Sequence, residues 1–156
     1  MATKSNAFST LAQGMFAGAV GTAAMSLTQQ LEMAVSGRDP SPVPGQVAAH
    51  LLPGCNPESP SDVQRLNIPM HWAHGITMGA LRGVLERAGL NGSTATAVHF
   101  AMLWGGDAAL YRTLGVADAP WRWGTDALVT DLFHKGVYAA VTGAVYDAMS
   151  GDATSS

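Results

Sequence analysis

The stretch FSTLAQGMFAGAVGTAAMSLTQQLEMAV, residues Phe8 to Val35, carries no charge before Glu32. A charge-free run of this length covers the ~20 residues that an α-helix needs to cross the hydrocarbon core of a bilayer. It also sets Gly14 and Gly18 four residues apart. Small residues at that spacing form a smooth stripe where a second backbone can approach closely, which membrane helices use because no hydrophobic effect drives them together. In a soluble helix each Gly costs about 1 kcal/mol relative to Ala. The stretch therefore reads as a transmembrane helix, and its partners should carry matching stripes. Lys4 ahead of it, with the small run Gly21-Thr22-Ala23-Ala24, has the outline of a secretory signal. The apolar run continues to Leu31, longer than such a signal needs, so a retained helix is expected.

Three further segments match it: Met70 to Ala88, Ser93 to Tyr111, and Thr125 to Met149. The second helix repeats the stripe as Gly75, Gly79 and Gly83, and the last carries Gly136, Ala140 and Ala144. These faces serve either to pack one tight bundle or to pair two copies. The last helix bears Asp126, Asp131, Lys135 and Asp147. Asp131 and Lys135 are four apart and can pair, which lowers the cost of placing them in a membrane. The expected fold is all-α: a single-domain, four-helix transmembrane bundle. A loop from Gly37 to Pro69 holds seven of the eight prolines. Proline lacks the amide donor and clashes with the preceding turn, so no helix is expected through Pro40, Pro42 and Pro44. Gln46 to Leu52 can form one short helix on the membrane surface. Gly89 to Gly92 makes a tight hairpin, a third loop spans Gly115 to Trp123, and the tail Gly151 to Ser156 should fray.

Composition agrees. Charged residues are 12% of the chain, against about a quarter in soluble domains; apolar residues are 47% and Gly is 18 of 156. The mean hydropathy of +0.15 is modest for a membrane protein. A net charge of −3 excludes the basic footprint of a nucleic-acid binder. Cys55 alone supports neither a disulfide framework nor a cysteine zinc site.

Let side A hold the N-terminus and side B the Pro-rich loop. Trp72, Trp104, Tyr111, Trp121 and Trp123 then fall toward B as an interfacial aromatic belt. Glu32, His71, His74, Asp107, Asp131 and His134 fall there too, with Asp126 and Lys135; His99 lies nearer mid-helix. Side A offers Lys4, Arg82, Glu86 and Arg87, with Arg82 snorkelling outward or pairing with Glu86. Ionisable groups persist in a bilayer when they pair or function. His71 and His74 share a helix face, and Asp131 and His134 repeat the spacing. Three uses stay open: a transition-metal site on His71, His74 and His134, a haem ligated by two histidines, or a proton-accepting network. A structural lock on helix register is the alternative. Arg38, Arg65, Arg112 and Arg122 on side B against Lys4 and Arg87 on side A place B in the cytoplasm by the positive-inside rule. No Gly-rich phosphate loop, Gly-x-Ser-x-Gly elbow or His-Glu-x-x-His motif occurs, so binding stands ahead of catalysis.

The order of features resembles the YagU type of small bacterial inner-membrane proteins. The likeness lies in Gly14-x-x-Ala17-Gly18, Arg38-x-Pro40, His74 with Gly79, Pro120-Trp121, and Asp131 with Phe133-His134 and Tyr138. Glu32 falls about a turn later than that family's acidic residue, and Asp131 to His134 is one residue shorter. The resemblance implies a multi-pass protein of the bacterial inner membrane, without an established activity but associated with acid tolerance. Its partners would be the bilayer and either further copies or a membrane complex. Acid tolerance would suit histidines, which change charge between roughly pH 5 and 8.

Overall fold

A computed structural model describes residues 7–154, and every regular element among them is helical. The elements are α1 (Ala7–Ser36), α2 (Val43–Leu51), α3 (Pro60–Arg87), α4 (Gly92–Thr113), a 3-10 turn (Pro120–Arg122) and α5 (Thr125–Thr154). Lys4 lies outside the described residues. The four long helices run up and down in turn, and α2 packs on α3.

The α1–α3 crossing is the tightest contact. A Cβ built on Gly14 would sit 2.5 Å from the Gly79 carbonyl oxygen, and one on Gly18 would sit 2.7 Å from both the Gly75 oxygen and the Gly79 Cα. Gly83 likewise faces the Thr10 carbonyl. The stripes of α1 and α3 are thus filled by each other, backbone on backbone, and are not free to pair a second copy. A Cβ on Gly136 meets nothing within 4 Å, so close packing does not account for that glycine. On α5 the packing positions are instead Tyr138 and Thr142 against Gly21, and Gly143 against Thr96.

The Pro-rich segment is more ordered than a loop. Pro44 falls in the first turn of α2, where the missing amide would have no intrahelical partner anyway. Helix α2 does not lie out on a surface by itself. Val47, Ala48 and Ala49 are buried, Gly45 abuts the Val63 carbonyl, and Asn67 clamps the helix by accepting from the Gly45 amide at 2.8 Å and donating to the Ser41 carbonyl at 3.0 Å. Helix α3 starts ten residues earlier than its apolar segment suggests. Ser59 caps it by accepting from the Asp62 amide, and Pro60 opens it. Asp62 also accepts from the Asn56 amide, and this, followed by the Arg65 guanidinium, holds its carboxyl below the usual carboxylate range. Pro69 is carried inside the helix. At the other end α5 continues through Gly151 to Thr154, where a frayed tail was expected.

Polarity is partly inverted relative to a water-soluble bundle: the core keeps Leu85, Leu103, Tyr138 and Tyr146, but polar and charged groups share it. Arg82, His99, Asp107, His134, Lys135, Thr10, Thr22 and Thr142 are buried, while Phe8, Phe16, Leu27, Leu31, Val35, Met102, Val129 and Phe133 are exposed. Among the described residues no helix is long and apolar enough to cross a membrane. The helices have 30, 28, 22 and 30 residues, so the shortfall against the expected transmembrane bundle is in apolarity.

The packing separates the two classes of glycine. Gly79→Val should destabilise the fold by about 2–3 kcal/mol or more through overpacking against backbone. Gly136→Ala should be neutral or stabilise by up to about 1 kcal/mol through helix propensity. Thermal melts followed by circular dichroism check both.

Candidate functional site

The ionisable residues of side B meet because the end of α1, the middle of α3, the end of α4 and the start of α5 converge there. One line of contacts crosses three helices. His74 Nε2 on α3 lies 2.9 Å from Asp107 Oδ1 on α4, and Asp107 Oδ2 lies 3.1 Å from Lys135 Nζ on α5. Lys135 also reaches Asp131 Oδ1 at 3.2 Å, and the Trp104 indole N–H donates to Asp131 Oδ2 at 3.0 Å. The ammonium stands 5.1 Å from the centre of the Tyr111 ring, a cation–π distance. Lys135 is thus the hub: one buried cation between two carboxylates.

A second line runs along α1. Ser26 and His71 Nε2 are hydrogen-bonded at 2.9 Å. Thr28 donates its hydroxyl proton to the Met25 carbonyl at 2.8 Å and stands 3.1 Å from His134 Nδ1. Because that proton is committed, Nδ1 of His134 must be the donor. Nε2 of His134 is then left facing Glu32 Oε2 at 3.8 Å, with no hydrogen-bond partner. Gly37, at φ +71°, turns the chain back so that Arg38 pairs with Glu32 at 2.6 Å.

Glu32, His71, His74, Asp107, Asp131 and His134 all line one cavity of about 600 Å³, together with Arg38, Tyr111, Asp126 and Lys135. Val43, Pro44 and Val47 of α2 close part of its mouth. His99 is not with them. It is fully buried nearer the bundle centre, its Nε2 2.9 Å from the Met78 carbonyl and its ring 5.8 Å from Tyr138. Trp104, placed in the aromatic belt by its position in the chain, points inward to Asp131 instead. Arg82 neither snorkels nor pairs with Glu86. It is buried, bonded to Asp147 and stacked 4.7 Å over Tyr146, whose hydroxyl donates to Glu86.

Among the described residues no group of three or more His, Cys, Asp or Glu is placed to hold a metal ion. His71, His74 and His134 engage Ser26, Asp107 and Thr28 respectively, so each ring is held by a different partner.

Lys135 and Arg38 complete the site. Lys135 was signalled by its four-residue spacing from Asp131; Arg38 carried no spacing signal, because its approach to Glu32 depends on the turn at Gly37. No known protein family, characterised protein or solved structure matches the chain.

Removing one partner of a buried ion pair leaves an uncompensated charge. Lys135→Met should therefore cost about 3–5 kcal/mol. Adding Asp107→Asn should recover part of that loss, since the two changes share one network. A thermal-melt double-mutant cycle reads both effects; simple additivity would contradict the hub assignment.

Proposed function

We propose that this chain is a multi-pass helical membrane protein that binds a small ligand in the cavity at the B end of its bundle. The observation that carries the reading is the partly inverted polarity. In water an outward apolar face costs roughly 25 cal/mol per Å², and the buried charges carry a desolvation penalty as well. In a bilayer the outward side chains meet acyl chains, and the inward charges meet each other. Part of the apolarity shortfall of the helices is compatible with this, since Arg82, His99, Asp107, His134 and Lys135, which lower the averages, are buried, whereas Gln30 and Asp126 are exposed.

In this reading the spans are residues 8–35, 70–88, 93–111 and 125–149. Helix α2 and the first turns of α3 then stand outside the hydrocarbon on side B, over the cavity mouth. The arginines of side B put that mouth in the cytoplasm. The resemblance to the YagU type supports the same placement in a bacterial inner membrane. A cavity of about 600 Å³ lies within the range that buries a small organic molecule. That the ionisable groups line this space, and do not close it, favours a binding role over a purely structural lock.

Two measurements test the proposal. Expressed in bacteria, the protein should stay in the membrane pellet through an alkaline carbonate wash; recovery in the soluble fraction without detergent would contradict the membrane assignment. Native mass spectrometry of detergent-purified protein should release a bound small molecule. Thr130→Trp, which fills the cavity from its wall, should lose that molecule. Equal retention by the variant would place the ligand elsewhere.

A further inference from the structure

The charge inside the cavity is unbalanced. Glu32, Asp107, Asp126 and Asp131 line it, against the two cations Arg38 and Lys135. Arg38 is committed to Glu32 at 2.6 Å. Lys135 is shared between Asp107 and Asp131 at 3.1 and 3.2 Å. With the histidines neutral, the walls hold an excess of carboxylate, and a space with low-dielectric walls of one sign concentrates the opposite charge.

A second, independent observation concerns His134, which is buried. Its Nδ1 donates to Thr28, so Nε2 presents a lone pair, and that atom has no hydrogen-bond partner. Glu32 Oε2, which also accepts from Arg38, stands 3.8 Å away. Two acceptors at this separation can both receive N–H bonds from one nitrogen placed between them, each at an ordinary length of ~2.9 Å. Much of the remaining wall is apolar or aromatic, with Met25, Met70, Leu103, Leu110, Tyr111 and Trp123, beside the polar Gln29 and Thr130. A bare metal ion does not fit such a wall, and an anion would meet the surplus carboxylates.

We infer that the ligand of this cavity is a protonated primary or secondary amine carrying an apolar, aromatic-sized body, its N–H groups taken by His134 and Glu32. The inference rests on the ligand-binding reading above and narrows it to one chemical class.

Isothermal titration of the full-length protein in lipid nanodiscs tests it with three probes of one shape: 1-naphthylmethylammonium, its N-trimethyl derivative, and 1-naphthoate. The primary amine should bind saturably at one site. The trimethyl compound keeps the charge but has no N–H to donate, and should bind about tenfold more weakly or worse; naphthoate should not bind. Asp131→Asn should weaken the amine by about tenfold. Asp126→Asn, at the exposed start of α5, provides a second carboxylate test should the Asp131 variant fail to fold, and should also weaken binding. His134→Phe should abolish the preference for the primary over the trimethyl amine. Naphthoate binding as tightly as the amine would overturn the cation assignment and leave a ligand cavity standing. Equal binding of the two cations to the unmutated protein would overturn the N–H assignment. No saturable binding by any probe would overturn the inference. Release of a native small molecule in the mass-spectrometry experiment would then show that the cavity still binds something of another class.

Discussion

The backbone contact between α1 and α3 is the constraint on which the rest depends. At Gly14, Gly18 and Gly79 the two backbones meet with no side chain between them, and Gly75 makes room for the Thr22 side chain. Their register is therefore set largely by main-chain shape, and a Cβ at Gly14, Gly18 or Gly79 would push them apart. From that crossing the same two helices bring Ser26 and His71 within 2.9 Å, and α5 joins them where the Tyr138 hydroxyl donates to the Gly75 carbonyl at 2.6 Å. Helix α4 packs less extensively on its neighbours. Gly105 and Gly106 on that helix face open space. The bundle is tight along α1 and looser along α4, and the cavity occupies the looser side, where Leu103, Asp107, Leu110 and Tyr111 of α4 line it.

Charge then stabilises what packing leaves open. Lys135 between Asp107 and Asp131, and Arg38 on Glu32, keep the carboxylates of the cavity from standing as isolated charges. At the opposite end Arg82 does the same with Asp147 and the face of Tyr146. Both ends of the bundle thus hold a buried cation in an ion pair with an aromatic ring beside it, and at the B end a cavity of about 600 Å³ adjoins that arrangement. The proposed ligand site is placed at the B end because the cavity lies there.

The parts of this arrangement that were legible in the sequence are those that follow from periodicity. The glycine spacing of α1 and α3 and the four-residue spacing of Asp131 and Lys135 each name a face of a helix, and faces decide contacts. The gathering of Glu32, His71, His74, Asp107, Asp131 and His134 at one end follows from up-and-down topology alone. What was not legible depends on rotation and on loops. His99 shares the span of Asp107, yet a rotation about the helix sends it to the Met78 carbonyl and out of the cavity. Gly136 lies two turns before the packing glycine Gly143 on the same stripe of α5, but at its height nothing stands within 4 Å of an added Cβ. The seven prolines between residues 37 and 69 pointed to a loop; the Ser59 cap and the Asn67 clamp, both local side-chain-to-backbone bonds, made two helical segments of it.

The proposed function requires that the outward apolar side chains meet lipid while the ionised ones face inward. Carbene photolabelling from a lipid-dissolved diazirine in proteoliposomes, with the modified residues mapped by peptide sequencing, measures that directly. Label should concentrate on Phe16, Leu27, Val129 and Phe133 and be absent from Val47, Leu103 and Ala139. Label spread evenly over inner and outer residues, or confined to the loops, would contradict it.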